Sequence, residues 1–230
     1  GVFGKEKSNF SAKTPNFFPK IPPDDPRSRA PDIVPFMSKY EKFSSERGRK
    51  DPLPGLVVRP AVPADAEAIA SIIAERNGTA AEKAAEKVRR EFETQGPGAA
   101  KLFVAVSEGG IAGFCRCGRR DTAAQPFKFP APAGWYCLGL VVRGAFRGRG
   151  VARALYSFLG RWLRETAGTD RLYSFCSAEN AVSLKMHAAL GFEAVSEGPG
   201  FLDVPFDCGR GVLFRLELPG PGFDLNLTRA

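Results

Sequence analysis

Several features that would mark a nucleotide-driven, metal-bound or membrane chain are missing from this sequence. No G-x-G-x-x-G follows an early strand and no G-x-x-x-x-G-K-[ST] occurs, which argues against a dinucleotide site and against a phosphate loop of the NTPase kind. No run approaches the ~18 apolar residues of a membrane span, and the first residues hold no signal-type apolar core. The chain is therefore expected to be soluble and cytoplasmic, with no membrane partner. Its five cysteines, Cys115, Cys117, Cys137, Cys176 and Cys208, are odd in number and irregularly spaced, which fits reduced thiols rather than a disulfide framework. Cys115-x-Cys117 has no partner ligands nearby and reads as alternate strand positions, so no metal is expected. There is one histidine, His187, and no internal repeat.

What is present is an ordinary globular composition with an uneven charge. The 230 residues are 43% hydrophobic and carry a net charge of +8, enough for one well-buried domain plus an extension. Residues 1–55 hold nine of the nineteen prolines together with scattered aromatics such as Phe17, Phe18 and Phe36. Frequent proline breaks regular structure, so this stretch is expected to be a Pro-rich N-terminal arm lying along the domain; with Asp24, Asp25 and Asp32 it does not resemble a transit peptide. A domain over 56–218 and a tail over 219–230 follow.

Within the domain the apolar spacing gives a clear alternation. Leu56 to Ala61 reads as a strand. Pro63 to Asn77 reads as a helix with Ile69, Ile72 and Ile73 on one face and Asn77-Gly78 as its stop. Ala80 to Gln95 is a second helix with Ala81, Ala85, Val88 and Phe92 on its buried stripe, ended by Gly96-Pro97. Lys101 to Val106 and Ile111 to Cys117 flank Glu108-Gly109-Gly110 and form a hairpin. Arg119 to Gly134 is a Pro/Ala-rich loop, long enough to be functional. Further strands are expected at Arg171 to Ser177, Phe192 to Val195 and Gly211 to Leu218, and a helix at Asn180 to Leu190.

The stretch that organises the rest runs from Leu138 to Thr166. An apolar strand (Leu140, Val141, Val142) breaks into a Gly- and Arg-rich turn, then Val151, Leu155, Phe158, Leu159 and Trp162 recur with helical spacing. A glycine turn feeding a helix leaves backbone N–H groups unpaired where the helix dipole is positive, which makes an anion site. Gly148 and Gly150 remove the Cβ atoms that would keep a phosphate off the backbone, and Arg147, Arg149 and Arg153 add charge. From Arg143 to Arg171 seven arginines face two acids, Glu165 and Asp170. Nucleic acid would feel such a field, but a small phosphorylated ligand at this turn already accounts for it, and no nucleic-acid partner is expected.

Arg147-Gly148-Arg149-Gly150-Val151-Ala152 is an R-x-x-G-x-A pattern directly after a buried strand. It resembles the pyrophosphate-binding motif of the GNAT superfamily of acyl-CoA-dependent N-acetyltransferases, [QR]-x-x-G-x-[GA]. Asn180, Ser183, His187, Leu190, Gly191 and Phe192 resemble the family's N-x-x-[SA]-x-x-x-[YH]-x-x-L-G-F segment, in the right order downstream. The resemblance covers about residues 56 to 218 and implies an α/β fold of mixed α+β kind, a twisted mixed β-sheet with helices on both faces.

The resemblance also implies acetyl-CoA as co-substrate and direct acetyl transfer, in a ternary complex, to a primary amine of a small molecule or protein. It assigns the pantetheine arm to the main chain of Leu140, Val141 and Val142, and the pyrophosphate to Arg147, Gly148, Arg149, Gly150, Val151 and Ala152, with Arg153 adjacent. Asn180 would touch the cofactor's amide or the reacting region, beside its own reading as a helix cap. His187 stands where relatives place the general acid for the departing thiolate, and a protonated imidazole is a competent donor near neutrality. The carboxylate that often sits two residues before the position of Leu140 is absent; Leu138 stands there. Glu179, Tyr136 through water, Glu75 and Asp203 are therefore the base candidates. A non-catalytic acyl-CoA-binding sensor or interaction module is the alternative, and a homodimer is left open.

Overall fold

The computed structural model describes residues 51–94, 99–123 and 126–218. The expected arm up to residue 50, the tail from residue 219 and the Gly96-Pro97 helix stop lie outside the described residues. Strand β1 (Val57–Pro60) leads through a 3-10 turn at Pro63–Asp65 into α1 (Ala66–Asn77) and α2 (Ala81–Glu93). Then come β2 (Lys101–Ser107), β3 (Gly110–Arg120), β4 (Gly134–Val142), α3 (Val151–Ala167), β5 (Arg171–Ser177) and α4 (Ala181–Ala189). β6 (Glu193–Gly198), a small hairpin of β7 (Gly200–Phe201) and β8 (Val204–Pro205), and β9 (Gly211–Glu217) close the domain.

Among the described residues seven strands form one sheet in the order β1-β2-β3-β4-β5-β9-β6. Neighbours run antiparallel except β4 and β5, which are parallel. Strand alternation sends successive side chains to opposite faces. Phe103, Ala105, Cys115, Cys117, Leu172 and Phe214 pack against Leu155, Leu159 and Leu163 of α3 and receive Leu184 and Met186 of α4. On the opposite face Leu102, Val104, Phe114 and Val141 meet Ile69, Ile72 and Ile73 of α1 and Val88 of α2. Farther along that face Tyr136, Tyr173, Phe175 and Leu213 are covered instead by Phe201 and Leu202 of the small hairpin, and by Phe206 beyond it. The sheet is thus mixed with helices on both faces, as expected, but one face is shared between a helix pair and a hairpin.

Four local expectations change. Ala81 is exposed and Ala84 takes its place beside Ala85 and Val88, because alanine carries too little apolar area to fix the phase of the buried stripe. β3 continues to Arg120 and β4 begins at Gly134, so the expected 119–134 loop loses both ends. Pairing of Gly118 with Tyr136, Arg119 with Trp135 and Arg120 with Gly134 supplies the ladder and overrides the charge of the arginines. The β7–β8 hairpin, two residues to a strand, is too short for a periodic signal. Tyr156, outside the expected apolar stripe of α3, is buried.

Two irregularities place the site. Opposite β4, Arg116 pairs with Gly139 and Cys117 with Cys137, leaving Leu138 as an extra residue, a β-bulge. Beyond it, β4 and β5 are registered only at Tyr136–Tyr173 and Cys137–Ser174, so the two strands part from Leu138 onward. Gly113 locks β3 to the parted strand: a Cβ there would lie 2.7 Å from the Val141 carbonyl oxygen and 3.2 Å from Val142 Cα. Backbone cannot swing aside as a side-chain tip does, so Gly113→Ala is expected to lower stability by about 1–3 kcal/mol. A chemical denaturation midpoint equal to wild type would contradict that close approach.

Candidate active site

The turn between β4 and α3 is built by glycine and tied down from three sides. Gly148 and Gly150 have φ of +78° and +84°, in the left-handed region that other residues avoid. Gly150 is the N-cap of α3, and a Cβ there would meet nothing within 4 Å, so its backbone faces open space. The first N–H of this segment to find a helical carbonyl is that of Ala154, on Gly150 O at 3.0 Å; the donors before it are those a helix start leaves unpaired. The first turns of α1 and α2 carry Glu67 and Glu82, whereas that of α3 holds no acid. The positive end of its dipole is left for an outside anion.

The ties are specific. Arg147 Nε donates to the Val142 carbonyl at 3.1 Å, fastening the turn to the strand end. Arg149 Nε donates to Asp51 O at 3.2 Å while Leu53 N donates to Arg149 O at 3.3 Å. From α1, Glu75 Oε1 accepts from Gly144 N at 3.2 Å and Arg143 donates to Ser71 Oγ at 3.1 Å. Two of the expected phosphate arginines, Arg147 and Arg149, thus also hold the turn in shape, and Arg153 stands half-buried in the first turn of α3. Val151 is buried in the α3-side core and Ala152 is partly exposed.

The parted strands lie immediately before this turn. Leu140 and Val142 pack toward α3, Val141 is buried against α1 and α2, and their main chain has no β5 residue in register. Apolar side chains anchor the strand on both faces while its backbone edge faces the opening.

At the far side of the opening, Asn180 caps α4 by accepting from Ser183 N at 3.0 Å. His187 does not reach the opening as a free side chain. It is 2% exposed and stacked on Phe214, with ring centroids 4.4 Å apart and planes at 4°. Its Nδ1 lies 2.7 Å from the Ser183 carbonyl oxygen, which only accepts, so Nδ1 carries the proton. Nε2 is then the acceptor, 2.9 Å from Ser174 Oγ and 3.2 Å from Tyr156 OH. Burial lowers its pKa to about 4, partly offset by the bond to Ser183. A neutral ring with a bare Nε2 receives hydrogen bonds there, so the expected imidazolium donor does not fit this geometry. The hydroxyls of Tyr156 and Ser174 lie 3.1 Å apart and join His187 in one buried bridge from α3 across β5 to α4.

The base candidates separate clearly. The Tyr136 hydroxyl donates to Pro132 O at 2.5 Å, and burial raises its pKa; it holds its proton. Glu75 is engaged with Arg143 and Gly144, and Asp203 accepts from Lys128 N at 3.2 Å. Glu179 is exposed on the approach to α4. Cys137 is buried, with its thiol pushed up to about 11 by desolvation, which does not suit an acyl-carrying nucleophile. Missed in the sequence were Tyr156 and Ser174, whose polar partners are distant in the chain, and Arg116, whose two bonds to Glu91 of 2.7 and 2.6 Å cross from β3 to α2. Among the described residues no three metal-ligating side chains converge, and no helix is long and apolar enough to cross a membrane.

The model of the acetyltransferase (GNAT) family matches residues 66–192. Over 92 residues the chain is 35% identical to the aminoglycoside N(6')-acetyltransferase type 1 of Salmonella typhimurium, an alignment covering 40% of this chain and 61% of that protein. The chain thus spans less than two thirds of the length of that relative. Among solved structures, a GCN5-related N-acetyltransferase from Kribbella flavida superposes with a TM-score of 0.54 at 24% identity, covering 71% of this chain and 98% of that one. The yncA protein of Salmonella typhimurium, solved with its cofactor acetyl-CoA, gives 0.52 at 19% identity, covering 74% and 97%. At those identities the superpositions establish the fold.

The buried neutral imidazole carries a measurable pH signature. Below its ordinary value of 6.5 the unfolded chain takes up a proton that folded His187 refuses until about pH 4. Stability should therefore fall as the pH drops through that window, by about 3 kcal/mol in all. His187→Gln should lack this component, so its unfolding free energy should fall less between about pH 7 and about pH 4.5 than that of wild type. Parallel pH profiles would contradict the placement of His187.

Proposed function

The chain belongs to the GNAT acetyltransferase family, and from that footing we propose that it is an acetyl-CoA-dependent N-acetyltransferase whose acceptor is a primary amine of a small molecule or protein. The observation that carries the reading is one continuous strand–turn–helix unit. A parted β4 edge runs into a turn whose glycines expose backbone donors at the head of a 17-residue helix. An elongated ligand with a phosphate end and an amide-bearing arm suits both parts at once. The open space over the Gly150 Cα fits it as well.

Bound acetyl-CoA supplies the acetyl thioester. The N–H groups of Gly148 to Ala152 would hold its diphosphate, with Arg147, Arg149 and Arg153 nearby, and the main chain of Leu140, Val141 and Val142 would hold its arm. Asn180, with Oδ1 committed to Ser183 N, keeps its amide N–H donors for the opening. We assign His187 to positioning: with Ser174 and Tyr156 it fastens α4 to β5 and α3 at the rim of the parted strands. A second reading, an acyl-CoA-binding module without turnover, is favoured by two details: Leu138 stands where a carboxylate base is common, and Nε2 of His187 bears no proton.

Replacing Gly150 would mix binding with backbone strain, because of its φ of +84°. Ala152→Glu avoids this. It places a carboxylate in the first helical turn, where the dipole favours it, while opposing a phosphate at the same donors. Calorimetry is expected to show acetyl-CoA binding weakened by about tenfold or more, with the melting temperature unchanged or raised. Unchanged affinity would overturn the assignment of this turn. Thiol release from acetyl-CoA over a panel of amines separates the enzyme from the silent module.

A further inference from the structure

We propose that residues 51–53, which precede the residues matched to the family, belong to the acetyl-CoA site, where they position the Arg149 guanidinium for the co-substrate's phosphates. This rests on the acetyltransferase reading and adds Leu53 to it as a positioning residue.

Arg149 needs support from outside the turn. It stands between Gly148 and Gly150, both with positive φ, and glycine on either side gives the chain there the most conformational freedom to lose. Among the described residues its main chain has one hydrogen bond, which its carbonyl oxygen accepts from Leu53 N at 3.3 Å. Its side chain has one as well, donated by Nε to the Asp51 carbonyl oxygen at 3.2 Å. Asp51 and Leu53 thus fix the backbone and the guanidinium of Arg149 together. The Nε bond engages one edge of the planar guanidinium. Nη1 and Nη2, without a partner among the described residues, are left as a fork of the shape that phosphate oxygens accept.

The sequence of the segment, Asp51-Pro52-Leu53-Pro54, suits it to act as a strap. Neither proline has an N–H, and each ring holds φ near about −65°. Leu53, ahead of a proline, is confined to extended backbone. The strap is therefore stiff before it docks and loses little further entropy in doing so, and the one N–H between Asp51 and Gly55 is the one donated to Arg149 O. The Leu53 side chain is half-buried against the α3-side core with Leu56 and Val58. Gly55, with φ of +64°, turns the chain into β1, which is paired with β2. The strap is thus moored to the core and to the sheet, and through them Arg149 is held over the head of α3. A helix start alone offers phosphate only backbone donors and a partial charge. A full charge already held in place adds to them without the entropy cost of ordering a long side chain on binding.

The test is made on the full chain. Calorimetry with acetyl-CoA reads the whole co-substrate, and a chemical-shift titration with S-acetylpantetheine, which carries the arm and the thioester but no phosphate, is the contrast. Leu53→Pro removes the N–H at a position whose neighbours already restrict the backbone; Leu53→Ala keeps the N–H and removes the larger side chain. Leu53→Pro is expected to weaken acetyl-CoA binding by about tenfold and Leu53→Ala by less than about twofold, with S-acetylpantetheine binding equal in both and in wild type. Arg149→Lys keeps the charge without the Nε–H and the fork. It should lose a similar factor, and adding Leu53→Pro to it should cost less than the product of the two losses. In the unsubstituted chain the Leu53 amide should exchange more slowly once acetyl-CoA is bound, because the coupling of strap and ligand is reciprocal; this readout decides the matter where Leu53→Pro does not fold. Equal acetyl-CoA affinity of folded Leu53→Pro and Leu53→Ala, an equal loss for S-acetylpantetheine, losses that multiply in full, or an unchanged Leu53 amide would overturn the proposal and leave the acetyl-CoA reading standing. A folded wild-type chain that does not bind acetyl-CoA overturns that reading and this one with it.

Discussion

Everything specific about this domain depends on two parallel strands that pair at two positions and then separate. β4 and β5 are held together at Tyr136–Tyr173 and Cys137–Ser174, and the bulge at Leu138 turns β4 away from its neighbour. Separated strands leave backbone donors and acceptors without a ladder, which is costly unless water or a ligand takes them up. The surrounding structure bears that cost. On one face the Tyr156–Ser174–His187 bridge ties α3 and α4 across β5. On the other, stacking of Tyr136 on Tyr173, with centroids 5.2 Å apart, anchors the paired end. At the open end Arg147 fastens the turn to Val142 and Glu75 fastens it to α1. The gap is thus bounded by specific hydrogen bonds and a stacked ring pair.

Much of this was legible in the sequence because the signals were local. The β5 span from Arg171 to Ser177 agrees with the expected one, and Asn180 caps α4 where the N-x-x-S spacing put it. The glycines of the 147–152 turn carry the positive φ that their type predicts. What was not legible depends on distant partners. Tyr156 reads as an off-stripe aromatic until Ser174 and His187 are brought to it by the parallel crossover. The bulge at Leu138 leaves no trace in an apolar run, because bulged and regular strands share one composition. Arg116 looks like a surface residue of a polar strand end until Glu91 of α2 is laid over it. His187 shows the limit of a motif match most clearly. Position alone made it a proton donor, whereas the Ser183 carbonyl and the Phe214 ring make it a buried, neutral acceptor.

At the α3 end of the opening positive potential comes from backbone donors and a helix dipole, with Arg147 and Arg149 partly spent on shaping the turn. Such a turn suits the phosphate end of the family's co-substrate, whereas fold and family membership alone do not determine the acceptor.

The central claim is that backbone N–H groups along one strand–turn–helix unit hold acetyl-CoA, and amide hydrogen exchange reads those groups directly. On saturation with acetyl-CoA, protection should rise at residues 148–153 of the turn and at 139–142 of β4, with little change across α2 and β6. Protection confined to other elements, or none at the 148–153 amides in a protein that binds acetyl-CoA, would contradict the account.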